Sequence, residues 1–128
     1  MLIFHFIQMS PLIPDQSPSI VERVSALLSS DPGRSWRVAV AARELAISTR
    51  SLQRQLAAER SNFQSILRVT RAEAAAALIL EQKNLDGFPL AAVGYASGFS
   101  DQAHFSREFK LRFNMSPTDY RAITVGNS

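Results

Sequence analysis

Residues 98–121 read GFSDQAHFSREFKLRFNMSPTDYR, and the punctuation of that stretch decides the fold. Gly98 marks a turn, because a residue without Cβ takes a left-handed backbone at little cost. Asp101 is an N-cap, a short acceptor for the free N–H groups of a helix start. From Asp101 to about Arg112 nothing breaks a helix, and Phe105 and Phe109 stand i, i+4 on its inner face. Asn114 ends it, and Ser116-Pro117 caps a last short helix through Arg121. Upstream, Pro89 opens a short helix to about Ala96. Residues 89–112 are therefore short helix, tight turn, longer helix: the helix-turn-helix pattern.

The same layout occurs once earlier, in residues 42–59, ARELAISTRSLQRQLAAE. Ala42, Ala46, Ile47, the Ser48 cap, Leu52 and Leu56 match Gly94, Gly98, Phe99, the Asp101 cap, Phe105 and Phe109. The small residue inside each first helix lets the second helix cross close to its backbone, and the small residue of the turn tolerates a left-handed conformation. With the inner faces assigned, the outer faces follow by subtraction. They are Thr49, Arg50, Gln53 and Arg54 in the first unit, and Gln102, Ala103, Ser106, Arg107 and Lys110 in the second. Aligning Leu52 with Phe105 places Arg54 over Arg107 and Gln53 over Ser106. Arg and Gln make bidentate contacts to guanine and adenine edges. These nine residues are the candidate DNA-binding set, with Arg54 and Arg107 foremost; Gln102 and Ser106 fit a solvent-facing role equally well. The competing reading is an ordinary solvated face, with Arg54 and Arg107 paired to Glu59 and Glu108. It explains one such face readily and two matched faces poorly.

Outward from the repeat, Ser17-Pro18 reads as the cap and first residue of a helix carrying Ile20, Val24, Leu27 and Leu28 as far as Ser30, ended by Asp31-Pro32-Gly33. Further helices are expected from about Val38 to Leu45 and from about Ser48 to Glu59. Phe63–Lys83 contains neither Gly nor Pro, so one helix of about 21 residues is expected, about 31 Å long at 1.5 Å per residue. It would act as a rigid spacer between the two units, stopped by Asn84-Leu85-Asp86-Gly87. No stretch alternates with period two for long enough to be a strand. The expected fold is all-α: about seven helices in residues 17–124, with helix-turn-helix subdomains at about 38–59 and 89–112 joined by the linker helix at about 63–83. Residues 1–16 read as a tail or interdomain linker.

Composition narrows the function classes. A hydrophobic fraction of 46% with 20% charged residues is globular. Without cysteine there is no disulfide framework, thiol nucleophile or thiolate metal site. His5 and His104 are far apart with no acidic cluster, so neither a metal nor another cofactor is expected. No Ser/His/Asp set or carboxylate pair stands at a spacing that a small helical fold could converge, so no enzyme is expected. The net charge is +3 with a pI near 10.0, and 12 of the 14 basic residues are Arg, the side chain suited to phosphates and base edges. Phe99, Phe105, Phe109, Phe113 and Met115 could suggest a single-strand stacking platform, but their helical spacing assigns them to the core. A helical protein-interaction module without specific DNA binding is the alternative function. No segment approaches the roughly 18 apolar residues of a membrane span, and the apolar Met1–Ile7 lacks a basic region before it. A cytoplasmic protein without membrane contact is expected. Trp36 is expected to pack as a lid and His104 as a packing or helix-surface residue. For Arg71, in the middle of the linker helix, pairing with an acidic residue across the subdomains and reaching a phosphate both remain open.

The GF turn at 98–99, the HFSREFK helix and the terminal SPTDYR resemble the signature of the AraC/XylS family of bacterial transcription regulators. The first unit resembles it through Ala42-Arg43-Glu44-Leu45, Ser48, Arg50 and Leu52-Gln53-Arg54, and Arg71 falls where the family usually has Arg. The resemblance covers about residues 17–122. It implies two recognition helices, each in a DNA major-groove segment, with double-stranded DNA and RNA polymerase as partners in activating transcription. Family members are often longer, with an effector-binding or dimerisation domain; a stand-alone regulator and the DNA-binding part of a larger one both remain open, and the linker-like residues 1–16 favour the second. Four positions depart from the pattern. Ala46 stands where Gly is usual, at a modest strain cost. Gly94 replaces Ala and should loosen its helix by roughly 1 kcal/mol. Asn114 replaces Gly and is the next best left-handed cap. Arg37 stands where Ser or Thr usually caps, so the second helix is expected to start at Ser35 or to be poorly capped.

Overall fold

The computed structural model describes residues 17–81 and 89–126. In chain order its helices are α1 (Ile20–Ser29), α2 (Val38–Glu44), α3 (Thr49–Ala58), α4 (Phe63–Glu81), α5 (Leu90–Ala96), α6 (Gln102–Phe113) and α7 (Pro117–Gly126). The described residues contain no strand.

The caps follow the sequence at most ends. Ser48, Asp101 and Ser116 accept from the backbone N–H three residues on, at 3.0, 2.7 and 3.0 Å. At α1 the cap is Ser19 instead of Ser17: its hydroxyl accepts from Glu22 N at 3.1 Å. The reason is tertiary. The Glu59 carboxylate, at the end of α3, reaches back to accept from Ile20 N and Val21 N at 3.2 and 3.4 Å, so the orphan donors of α1 are satisfied by a start at Ile20. α2 starts at Val38 with Arg37 as an N-cap that makes no side-chain cap bond. α7 runs five residues beyond Arg121, to Gly126. The expected end of the linker helix at Lys83 and its stop at Asn84–Gly87 lie outside the described residues.

Two separate cores sit on the two halves of α4. The first gathers Val24 and Leu28 of α1, Trp36, Ala41 and Ala42 of α2, Leu52 and Leu56 of α3, and Phe63, Ile66 and Leu67 of α4. The second gathers Ala72, Ala75, Ala76 and Ile79 of α4 with Val93, Phe99, Phe105 and Phe109, flanked by Phe113 and Tyr120. Trp36 is a lid: it is 5% exposed, and its indole N–H donates to Asp31 O at 2.8 Å. Phe105 and Phe109 are fully buried with ring centroids 5.8 Å apart, edge to face. At about 1.5–3 kcal/mol for each large buried apolar side chain, such positions hold α3 and α6 onto α4.

Candidate nucleic-acid interface

The repeat inferred from the residues is also a repeat of hydrogen bonds. After α2, Ala46 N donates to Arg43 O and Ile47 N to Ala42 O, both at 3.0 Å. After α5, Gly98 N donates to Tyr95 O and Phe99 N to Gly94 O, again at 3.0 Å. Each pair is a Schellman motif, the helix stop that requires a left-handed residue between its two bonds. Ala46 supplies it with φ 60° and Gly98 with φ 99°. Ala46 therefore holds the expected strained turn with its Cβ in place. From each turn the chain enters the next helix through its cap, after one residue (Ile47) in the first unit and two (Phe99 and Ser100) in the second.

Gly94 has a reason other than weak helix propensity. A Cβ there would lie 2.6 Å from Phe105 Cδ2 and 3.0 Å from Cγ. In the first unit Ala42 and Leu52 are both buried. Where the larger Phe105 fills the crossing in the second unit, the small partner shrinks to Gly.

With Leu52, Leu56, Phe105 and Phe109 buried, the sequence-predicted residues point outward. Arg50, Gln53, Arg54, Gln102, Ala103, Arg107 and Lys110 are exposed, whereas Thr49 and Ser106 are half-buried. The ion pairs of the competing reading are absent among the described residues. Glu59 is engaged by the start of α1. Glu108 turns inward, its side chain only 13% exposed, toward Arg68 at 3.6 Å and His104 at 3.9 Å. The segment Thr49–Ala58 holds no acidic residue. Among the described residues, the cations of both outer faces, Arg50 and Arg54 on one and Arg107 and Lys110 on the other, thus make no ion pair. Leu111, 73% exposed, extends the second face beyond Arg107. The residue reading omitted it, although 100° per residue from Phe105 already turns it outward.

His104 lies edge-on to Phe99 at 5.3 Å, a packing role. Arg71 takes neither of its two expected partners. Its Nε donates to Pro32 O at 3.1 Å and its Nη2 to Arg34 O at 2.9 Å, both in the loop after α1. Burial pushes this guanidinium below the ordinary arginine value, yet an arginine remains protonated.

A family model described as a helix-turn-helix domain matches residues 41–123, from within α2 into α7. The chain belongs to the AraC-type helix-turn-helix family. Within it, this AraC-type domain is 33% identical over 107 residues to the ornithine utilization regulator of Pseudomonas aeruginosa, covering 84% of the chain and 30% of that protein. It is 27% identical over 106 residues to the TCP pilus virulence regulatory protein of Vibrio cholerae, covering 83% of the chain and 37% of that protein. Its fold matches a DNA-binding transcriptional dual regulator from Escherichia coli K-12 with a TM-score of 0.79 at 24% identity, over 89% of this chain and 99% of that one. ToxT of Vibrio cholerae, solved with an unsaturated fatty acid bound, matches with a TM-score of 0.70 at 27% identity, over 91% of this chain and 40% of that one. The chain thus spans 30–37% of the length of these two curated relatives. No helix of the described residues is long and apolar enough to cross a membrane.

Proposed function

We propose that this chain is the sequence-specific double-stranded-DNA-binding domain of a transcription regulator, with α3 and α6 entering successive major-groove segments. The observation that carries the proposal is the matched pair of outer faces, each with two cations that make no ion pair among the described residues, on a helix that follows the same Schellman stop. Arg54 and Arg107 are the base-edge readers, since the guanidinium fork pairs with guanine O6 and N7. Arg50, Gln53, Gln102 and Lys110 supply flanking base or phosphate contacts. Thr49 at the start of α3 and Ser106 in the middle of α6, both half-buried, suit phosphate oxygens, and Ala103 lets the helix approach closely. RNA polymerase is the protein partner in activating transcription, in the cytoplasm where the DNA lies. The relatives' greater length supports an effector-binding or dimerisation domain beyond this chain.

The test begins with a duplex selected from a random library by the chain itself. Log affinity should fall against log salt by about 0.9 for each phosphate neutralised. The footprint should be asymmetric, with two protected patches about one helical turn, roughly 34 Å, apart. Affinity that is flat with salt, or equal on all duplexes, overturns the reading and leaves the protein-interaction module.

A further inference from the structure

The two cores do not touch. The first ends on α4 at Leu67 and the second begins at Ala72. Between them, only Thr70 is buried, 7% exposed. This stretch of α4 is the joint between the two cores, and long helices curve gently. The joint has lateral support, and it is built from backbone. Arg71 projects from α4 at this level and spans the carbonyls of Pro32 and Arg34, which belong to the first subdomain's α1–α2 loop. The turn of the second subdomain closes on the same group: a Cβ added at Gly98 would overlap Arg71 Nε and come within 2.7 Å of Pro32 O. A Cβ added at Gly33 would meet Ala96 O, at the end of α5, at 2.7 Å. Loop 31–34, the Arg71 guanidinium and the turn at 96–98 therefore stack with no room for another carbon.

We propose that Gly33, Arg71 and Gly98 form an interlock that fixes the orientation of the two recognition helices relative to one another, with Arg71 as its positioning residue. The interlock couples the α5–α6 turn, which aims α6, to the loop between α1 and α2, the helix on which α3 is set. It uses donors to carbonyls instead of an ion pair, so it needs no ionised acid partner. A lysine head is a point donor without the planar fork that reaches both carbonyls at once. The bridges Arg68–Glu108 and Arg112–Glu73 tie α6 to α4 but reach nothing in the α1–α2 loop. The consequence for DNA rests on the proposed function; the geometry does not.

The chain has no native cysteine, so Arg54→Cys together with Arg107→Cys admits just two spin labels, one on each recognition helix. Pulsed electron resonance on the full chain should give one narrow distance distribution. Arg71→Ala should roughly double its width, as a single conformer becomes an ensemble. Gly33→Ala, which leaves every hydrogen bond of Arg71 available, should shift or broaden it by wedging loop from turn, and it decides the matter if Arg71→Ala does not fold. Distributions identical to the parent in the folded variants overturn the interlock. On the selected duplex, without labels, inserting one base pair between the protected patches should weaken the parent by about tenfold. Arg71→Ala should bind the native spacing more weakly and lose most of that spacing penalty. An arginine serving stability alone would lower affinity at every spacing equally, and that result also overturns the proposal. A broadened distribution in a chain that selects no duplex would uphold the interlock and overturn the DNA reading.

Discussion

Gly94→Ala is expected to destabilise the protein even though Ala is the better helix former. In a helix free of neighbours the change would gain about 1 kcal/mol. Here the new Cβ falls 2.6, 3.0 and 3.2 Å from three ring atoms of Phe105. The ring cannot swing away, because it is fully buried and packed on Phe99 at 5.1 Å and Phe109 at 5.8 Å between centroids. Overpacking of this kind costs about 1–3 kcal/mol, so the net loss should be about 1 kcal/mol and no more than about 2. Phe105→Leu alone leaves a void and should cost about 1–2 kcal/mol. Combined, the two changes rebuild the Ala-over-Leu crossing of Ala42 and Leu52, and the double variant should lie within about 1 kcal/mol of the parent. The coupling energy is therefore favourable, about 1–2 kcal/mol, well beyond the roughly 0.5 kcal/mol scatter of independent sites. Urea unfolding of the four proteins measures it, and each kcal/mol should also move Tm by about 4 °C. Additive losses, or a Gly94→Ala variant more stable than the parent, would refute the argument that Phe105 dictates glycine at 94.

Ala46→Gly should raise stability by about 0.5–1 kcal/mol, because Ala46 is exposed, loses no packing and is relieved of a left-handed φ of 60°; an unchanged urea midpoint would contradict it. Arg54→Ala and Arg107→Ala should each weaken binding to the selected duplex by about 1–3 kcal/mol and relax preference at one position. A variant that keeps full affinity and preference removes its arginine from the set. His104→Ala should lower Tm through the lost contact with Phe99 while leaving base preference intact, and a changed preference would move His104 into the interface.

The parts of the fold that were legible in the sequence are those fixed by neighbours along the chain. Ser48 and Asp101 cap the helices that begin next to them, and Asn114 takes φ 60° as a left-handed stop. The inner faces were legible because a 3.6-residue period leaves few ways to bury Leu52 with Leu56 or Phe105 with Phe109. What escaped depends on residues far away. Ser17 and Ser19 are equivalent as local caps, and Glu59, 39 residues from Ile20, decides between them. That same engagement removes Glu59 as a partner for Arg54, so one distant contact settles both the helix start and the electrostatics of the first outer face. Gly94 read as a weak point because propensity is local, whereas the Phe105 ring that requires it comes from the next helix. Arg71 was open between a carboxylate and a phosphate, since sequence patterns pair charged side chains with charges and are silent on carbonyls brought close by folding.

The linker helix shows how far that limit reaches. As a sequence it is an uninterrupted spacer of about 31 Å, and two alanines inserted near Ala75 would turn one reading head by about 200° while leaving both folded. The described part of α4 is 19 residues, about 28 Å, and it is a wall of both cores instead of a rod between them. Ala72, Ala75, Ala76 and Ile79 are buried against α5 and α6. An insertion at 75 rotates Ala76 and Ile79 away from Phe105 and Phe109 while Ala72 stays in place, so the second core has no single register that satisfies α4. The variant should lose the cooperative unfolding of its second half while the first, anchored by Phe63, Ile66 and Leu67, persists. Hydrogen exchange would show protection retained in α1 and α3 and lost in α5 and α6. Wild-type protection throughout, with a single unchanged Tm, would restore the spacer picture. If protection is lost as expected, the relative aim of α3 and α6 cannot be tuned by the length of α4, which leaves the contacts at Gly33, Arg71 and Gly98 as the adjustable part of the joint.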